Sequence, residues 1–282
     1  MSRLAERREG SRKRTRAGAD VAALGEALTT MARRLTDLVL SAADPERPVP
    51  ATPGWSVTDV FAHVSLEPSR YRELALGRGS WPARADQLPA FNAEQIRMLP
   101  TRDISTLAAM LVADTDALIA TIAGFGDNPP IMNFDGDQRV RADIQLGTLL
   151  GEFAVHGHDI ARTLHRPWRI DPALVPMVLD GVHQALPAWF NRDAHSADTA
   201  VLKLSLRGLR TCYVYAFTAE GVTIDPDTKV RVDVHISAEP TTALLMTYGR
   251  VNRWSAALTG KVIAWGRRPA LALTLPDRFL PA

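Results

Sequence analysis

Leu149-Leu-Gly-Glu-Phe-Ala-Val-His-Gly-His-Asp-Ile160 is the stretch on which the reading of this chain turns. Glu152 and His156 are four residues apart, so on a helix they share one face with Cβ atoms roughly 6 Å apart. Asp159, three beyond His156, falls on the same stripe. The flanking Leu146, Leu149, Leu150, Phe153 and Ile160 are apolar, which places such a helix inside a bundle. A carboxylate and an imidazole side by side in a core are costly unless paired or bound to a metal. The segment is therefore both a core element and a candidate site.

Working outward, the same helical period recurs upstream. Apolar residues from Asp20 to Ala43 (Leu24, Leu28, Met31, Leu35, Leu38) describe a long first helix, and Pro45, Pro48, Pro50 and Pro53 an extended link. Ser56 with Asp59 forms a capping-box signature for a second helix, running to about Leu76 and carrying His63. A short helical piece is expected over 92–98, a third helix from Asp103 to Ile122, and a fourth, containing the opening stretch, from Ile144 to Leu164. The link between the last two, with Pro129, Pro130 and Asp135-Gly-Asp137, reads as irregular. Four helices with such links make a bundle.

Beyond the junction 165–170 and a helical segment from Asp171 to Phe190, the period changes. Ala200 to Leu206, Thr211 to Thr218 and Val230 to Ile236 read as strands, Pro240 to Tyr248 as a helix, Trp254 to Trp265 as further strand and Pro269 to Leu273 as a short last helix. The expected organisation is a basic disordered leader (1–19), a helical bundle (20–166) and an α+β domain (167–282).

Composition narrows the function classes. The 282 residues are ordinary for a globular protein, and no apolar run is expected to reach the roughly 20 residues of a bilayer span. The charged N-terminus is not a secretory signal, and a cytoplasmic location is expected. A single cysteine, Cys212, excludes internal disulfides and Cys-cluster zinc sites; in its strand it reads as a buried inert thiol. Residues 1–16 hold seven Arg or Lys against two Glu, leaving 26 basic and 29 acidic residues elsewhere. A solvated leader explains that charge, and nucleic acid is not the expected partner because no helix-turn-helix or aromatic-interleaved basic face follows it.

His63 lies four after Asp59 and four before Glu67. A lone helical histidine is usually a satisfied core residue, but a Glu/His pair on a second inward-facing helix changes that weight. Two imidazoles and a carboxylate are the ligands of an open zinc site, with a fourth position left for water or substrate. Cobalt, nickel, manganese and iron accept similar donors. No Gly-x-Ser-x-Gly elbow, Walker loop or dinucleotide fingerprint is present. His158 falls roughly 160–200° around the helix from His156, points away from the Glu152–His156 face and stays outside the ligand set. His165, His183, His195 and His235 read as isolated surface or boundary residues.

Pro53-Gly-Trp-Ser-Val-Thr-Asp-Val-Phe-Ala-His63, with Gly151-Glu-Phe-Ala-Val-His-Gly-His-Asp-Ile-Ala161, resembles the DinB-like bundle of mycothiol-dependent maleylpyruvate isomerases and related actinobacterial thiol transferases. Asp233 to Phe279, with Tyr248-Gly-Arg250 and Thr259-Gly-Lys-Val262, resembles the sterol-carrier-like domain attached to those bundles. At His158 the chain departs from its relatives, where tryptophan is common. The resemblance implies a metal triad of His63, Glu152 and His156, with zinc preferred, and mycothiol as the small thiol. A bound cation deprotonates a coordinating thiol, supplying the nucleophile that the chain's own cysteine does not. An isomerase would add that thiolate to a cis double bond, allow rotation and release it; an S-transferase would attack an electrophile and keep the bond. Arg250 is then the match for an active-site arginine holding a substrate carboxylate, and Asp59 and Asp159 are candidates to orient the histidine rings. The partners implied are a small-molecule thiol and an electrophilic or unsaturated acid; the oligomeric state is not implied. The competing class is a non-catalytic protein that binds a lipid or other small ligand in the second domain.

Overall fold

The computed structural model describes residues 19–81, 83–136, 138–192, 199–225 and 229–280. The basic leader through residue 18 and His195 lie outside them. Four long helices form the N-terminal half: α1 (Val21–Leu40), α2 (Val57–Ala75), α4 (Ile104–Gly124) and α5 (Ala142–Thr163), with the shorter α3 (Leu88–Arg97) beside α2. Their starts follow local chemistry. Asp20 caps α1, Asp103 caps α4, and the Ser56–Asp59 box closes both ways at α2, satisfying amide groups that would otherwise lack partners. Leu28, Met31, Leu35, Phe61, Leu107, Leu111, Leu118 and Phe153 fill the shared core. Each contributes roughly 1.5–3 kcal/mol by burial.

The second half is a five-stranded sheet ordered β5-β4-β3-β6-β7: β3 (Ala200–Leu206), β4 (Cys212–Phe217), β5 (Val222–Ile224), β6 (Val234–Ala238) and β7 (Val262–Gly266). The β3–β6 pair is parallel and the others antiparallel. Helix α6 (Val175–Ala185) packs on α5 and touches α7 (Pro240–Thr247), joining the two halves; α8 (Arg253–Leu258) follows.

Several elements differ from the sequence reading. The stretch expected to be irregular is a hairpin, β1 (Ile131–Phe134) with β2 (Gln138–Arg141), turned through Asp135 and Gly136 at positive φ. The segment expected to be strand from Trp254 begins as helix α8, because Asn252 accepts from the amides of Trp254 and Ser255. Only Val234 onward of the alternating run from Val230 pairs into the sheet. Helix α4 is, by length and composition alone, apolar enough to cross a bilayer, contrary to expectation; here it packs against α1 and α2. Cys212 is exposed rather than buried, at the first position of β4.

The α5–α6 crossing is close enough to forbid a side chain. A Cβ at Gly147 would stand 2.0 Å from the Met177 carbonyl oxygen, a backbone atom that cannot swing aside. Gly147→Ala should therefore destabilise the protein by about 2 kcal/mol or more despite alanine's better helix propensity. Urea denaturation checks it; an unchanged midpoint would mean the helices separate freely.

A candidate metal centre between the helices

Helices α2 and α5 turn one face each toward the interior, and the site sits where those faces meet. From α2 comes His63, 5 % exposed; from α5 come Glu152 and His156. Both imidazoles present Nε2 to one carboxylate oxygen: His156 Nε2 lies 3.2 Å and His63 Nε2 3.6 Å from Glu152 Oε2. One ligand atom from each of the three residues lies within 4.8 Å of the other two. The rings meet edge to face at 5.3 Å, and Trp55 stands 5.3 Å from the far side of His63.

The outer nitrogens repeat a pattern. His63 Nδ1 faces Glu67 Oε1 at 3.6 Å, and His156 Nδ1 faces Asp159 Oδ2 at 3.7 Å. Both distances exceed a direct hydrogen bond, and His156 Nδ1 has no bonded partner. Each carboxylate has an arginine behind it: Arg70 Nη1 lies 2.6 Å from Glu67, and Arg250 Nη2 3.0 Å from Asp159. Carboxylates behind ligand imidazoles fix ring orientation and raise ligand basicity.

Asp159 thus stands behind a histidine, as the sequence suggested. Asp59 does not: its carboxylate bonds the Ser56 amide and hydroxyl and pairs with Arg102 at 2.7 Å. The capping box holds it at the helix end, and Glu67, one turn past His63, takes the corresponding place.

Arg250 also differs from the free fork expected. Just past the end of helix α7, Gly249 at φ +70° turns the chain back toward α5. Arg250 Nε and Nη2 then donate to Asp159 Oδ2 at 3.1 and 3.0 Å, and Nη1 to the Tyr248 carbonyl at 2.6 Å. Three of its five N–H donors are committed.

The electrostatics suit a cation. Burial opposes charge on Glu152, but the adjacent His156 and His63 imidazoles outweigh it and hold the carboxyl well below its ordinary range. Burial likewise opposes the His156 imidazolium, yet Asp159 and Glu152 carry it up to about 9. A buried carboxylate that attracts a proton onto its neighbouring imidazole also attracts a metal, and metal uptake would release that proton. Two neutral-capable imidazoles and a carboxylate, supported from behind, fit a divalent ion of the zinc type.

The site opens into a cavity of about 1130 Å³ that continues between the two halves to the sheet. His183, expected at a surface or boundary, is buried on its wall, 2.9 Å from the Tyr215 hydroxyl. Asp135 lines it too, accepting from Trp189 Nε1 at 2.9 Å, and burial lifts its carboxyl from 3.8 to about 6. A raised folded pKa means the native state holds the proton more tightly, so this group's contribution falls as pH rises from about 4 to 6 and stays unfavourable above. Asp135→Asn keeps an acceptor for Trp189 and tolerates φ +46°. It should raise stability by about 1–2 kcal/mol at pH 7.5 and leave it unchanged near pH 4. Denaturation curves at the two pH values check this; an equal effect at both would remove titration as the cause.

Comparison with known proteins follows this division. No match is found among curated protein sequences. The crystal structure of a mycothiol-dependent maleylpyruvate isomerase aligns with TM-score 0.52 at 11 % identity, covering 86 % of this chain and 92 % of that one. A histidine-to-alanine mutant of the same enzyme gives 0.54 at 12 %, with the same coverage. At such identity the likeness is one of fold: a helical N-terminal half followed by a sheet-containing C-terminal half. Residues 21–161, which carry all three of His63, Glu152 and His156, match the family model described as the mycothiol maleylpyruvate isomerase N-terminal domain, and the chain belongs to that family.

Proposed function

We propose that the protein is a metal-dependent enzyme that uses mycothiol as its nucleophile, either isomerising an unsaturated acid or transferring the thiol to an electrophile. The observation carrying this reading is the convergence of His63, Glu152 and His156 on one point at a cavity wall, with a carboxylate behind each imidazole. Family membership supports the thiol. These three residues would hold the cation, with zinc preferred for the donor set, and a bound cation of this kind supplies a deprotonated thiol at neutral pH.

The chain's own residues do the rest. Glu67 and Asp159 keep the Nε2 atoms of His63 and His156 turned inward. Arg250 holds Asp159 in place and ties the C-terminal half to α5; the two N–H groups it retains are available to a substrate carboxylate. Trp55 and Tyr71 line the same wall and limit water around the reacting sulfur. Mycothiol held here would supply a sulfur able to add reversibly to a double bond or to be transferred to an electrophile. Residues 167–282 are assigned as a sterol-carrier-like domain on the five-stranded sheet and its helices, following the bundle of 20–166.

The test is metal analysis of protein purified without chelator, followed by turnover with and without mycothiol. One divalent ion per chain and strictly thiol-dependent turnover are expected. Metal-free protein carrying a co-purified lipid, with no thiol transfer, would overturn the enzyme in favour of a binding protein.

A further inference from the structure

Resting on the thiol-activating site proposed above, the geometry points to a neutral electrophile with a bulky apolar body as the second substrate, in place of a dicarboxylate. The cavity is far deeper than the triad. It runs from Trp55 and His156 past Arg250 to the inner face of the sheet, where Leu204, Ile236, Met246, Leu275 and Phe279 line it. Its volume of about 1130 Å³ exceeds the roughly 300–1,000 Å³ common for small-molecule sites. Even with the thiol seated at the triad, a small diacid would leave the aliphatic walls of the deep end against water, whereas an apolar body would displace that water favourably.

Charge argues the same way. Among the described residues the wall carries a single Arg or Lys, Arg250, already bonded to Asp159 and to the Tyr248 carbonyl. Glu67, Asp135 and Asp277 also line it. Were a cation held by His63, Glu152 and His156, its open position would be left to the thiol. A first carboxylate on the substrate could use the two remaining N–H groups of Arg250; a second would meet acidic or apolar wall, and burying an unpaired carboxylate costs several kcal/mol. Deep in the chamber His183, hydrogen-bonded to Tyr215, offers a polar pairing suited to a hydroxyl, carbonyl or epoxide oxygen.

The reaction that fits is S-alkylation. The sulfur forms a bond to an electrophilic carbon while the carbon–leaving-group bond breaks, and its electron pair departs with the leaving group. For an epoxide the ring oxygen takes that pair and then a proton, so that the thiol adds as a whole.

The experiment uses the full metal-loaded chain with mycothiol and compares kcat/KM for monochlorobimane and styrene oxide with that for maleylpyruvate. In parallel, cobalt-substituted protein is titrated with mycothiol to follow the sulfur-to-cobalt band. The neutral aromatic substrates should be favoured by at least about tenfold, a margin that pocket complementarity readily supplies. A second readout needs no turnover: Nile red should bind the chamber, be displaced by styrene oxide and resist maleate. Met246→Trp, which narrows the chamber, should weaken Nile red binding and lower monochlorobimane turnover relative to that of the small acceptor iodoacetamide. If maleylpyruvate is the better substrate while the cobalt band responds to mycothiol, this inference is overturned and the thiol reading stands. If mycothiol neither shifts the cobalt band nor supports any turnover, the thiol reading falls and the inference with it. Failure of Nile red to bind the wild-type chain also overturns it.

Discussion

His63→Ala is expected to strip the protein of its metal and of thiol-dependent turnover together. His63 is the only one of the three candidate ligands contributed by α2; Glu152 and His156 both stand on α5. Without it, two donors one turn apart remain on a single helix, too few to complete a closed coordination shell with one open position. Loss of a residue that merely orients a ligand costs about 10–100-fold in metal affinity, so removal of a ligand itself should cost roughly 10³-fold or more. The readout separates binding from folding. At a hundredfold excess over its Kd, zinc should stabilise the wild type by about 2.7 kcal/mol, several degrees in Tm. The alanine variant should melt at one temperature with and without zinc. A variant that still melts higher with zinc, and still carries one equivalent by mass spectrometry, would show that α2 contributes nothing to the site. The metal-free variant should also keep most of its stability, because an imidazole of this size accounts for only about 1–3 kcal/mol of a core.

The helical half was legible because its signals agree with one another. The Leu and Ala period of α1, α4 and α5, the capping box at Ser56 and the aspartates at positions 20 and 103 all name the same boundaries, and the chain obeys them. The candidate ligands were legible for a related reason: Glu152 and His156 are four apart on a helix with apolar flanks, so few other placements exist. What failed was local chemistry in short segments. Asp135-Gly136 is a hairpin signal masked by the Pro129-Pro130 pair just before it, and Asn252 is a helix cap hidden in an apolar run readable as either strand or helix. Glu67 could have been found, since it lies one turn after His63; Asp59 competed with it at the same spacing on the other side, and only the capping box decides between them. His183 could not. Its burial depends on Tyr213 and Tyr215 of β4, thirty and thirty-two residues away in sequence, closing over α6. Nor could the engagement of Arg250 by Asp159, 91 residues apart, which requires both halves to be docked.

That contact sets the second large expectation. Asp159→Asn should destabilise the protein by about 2–4 kcal/mol at neutral pH and weaken metal binding by about 10–100-fold. The Asp159 side chain is 1 % exposed and that of Arg250 11 %, so the pair is screened little by water. Breaking such a pair from one side leaves a buried guanidinium without its counter-charge, and asparagine returns one neutral acceptor in place of two charged-oxygen bonds. The sign with pH follows from the direction of the shift. Burial raises the Asp159 carboxyl, but the nearby His156 imidazole and the bonds from Arg250 more than offset it, so the group sits below the ordinary carboxylate value of 3.8. A depressed folded pKa gives a stabilisation present above that value and lost as pH falls through the folded one. Wild type and Asp159→Asn should therefore differ most at pH 6–8 and converge on acidification. Arg250→Met, in contrast, strands the carboxylate; in the double variant neither charge remains, and its loss should be smaller than the two single losses added together. Urea titrations of the four proteins at pH 7 measure that coupling. Simple additivity would mean that Arg250 and Asp159 do not act on each other.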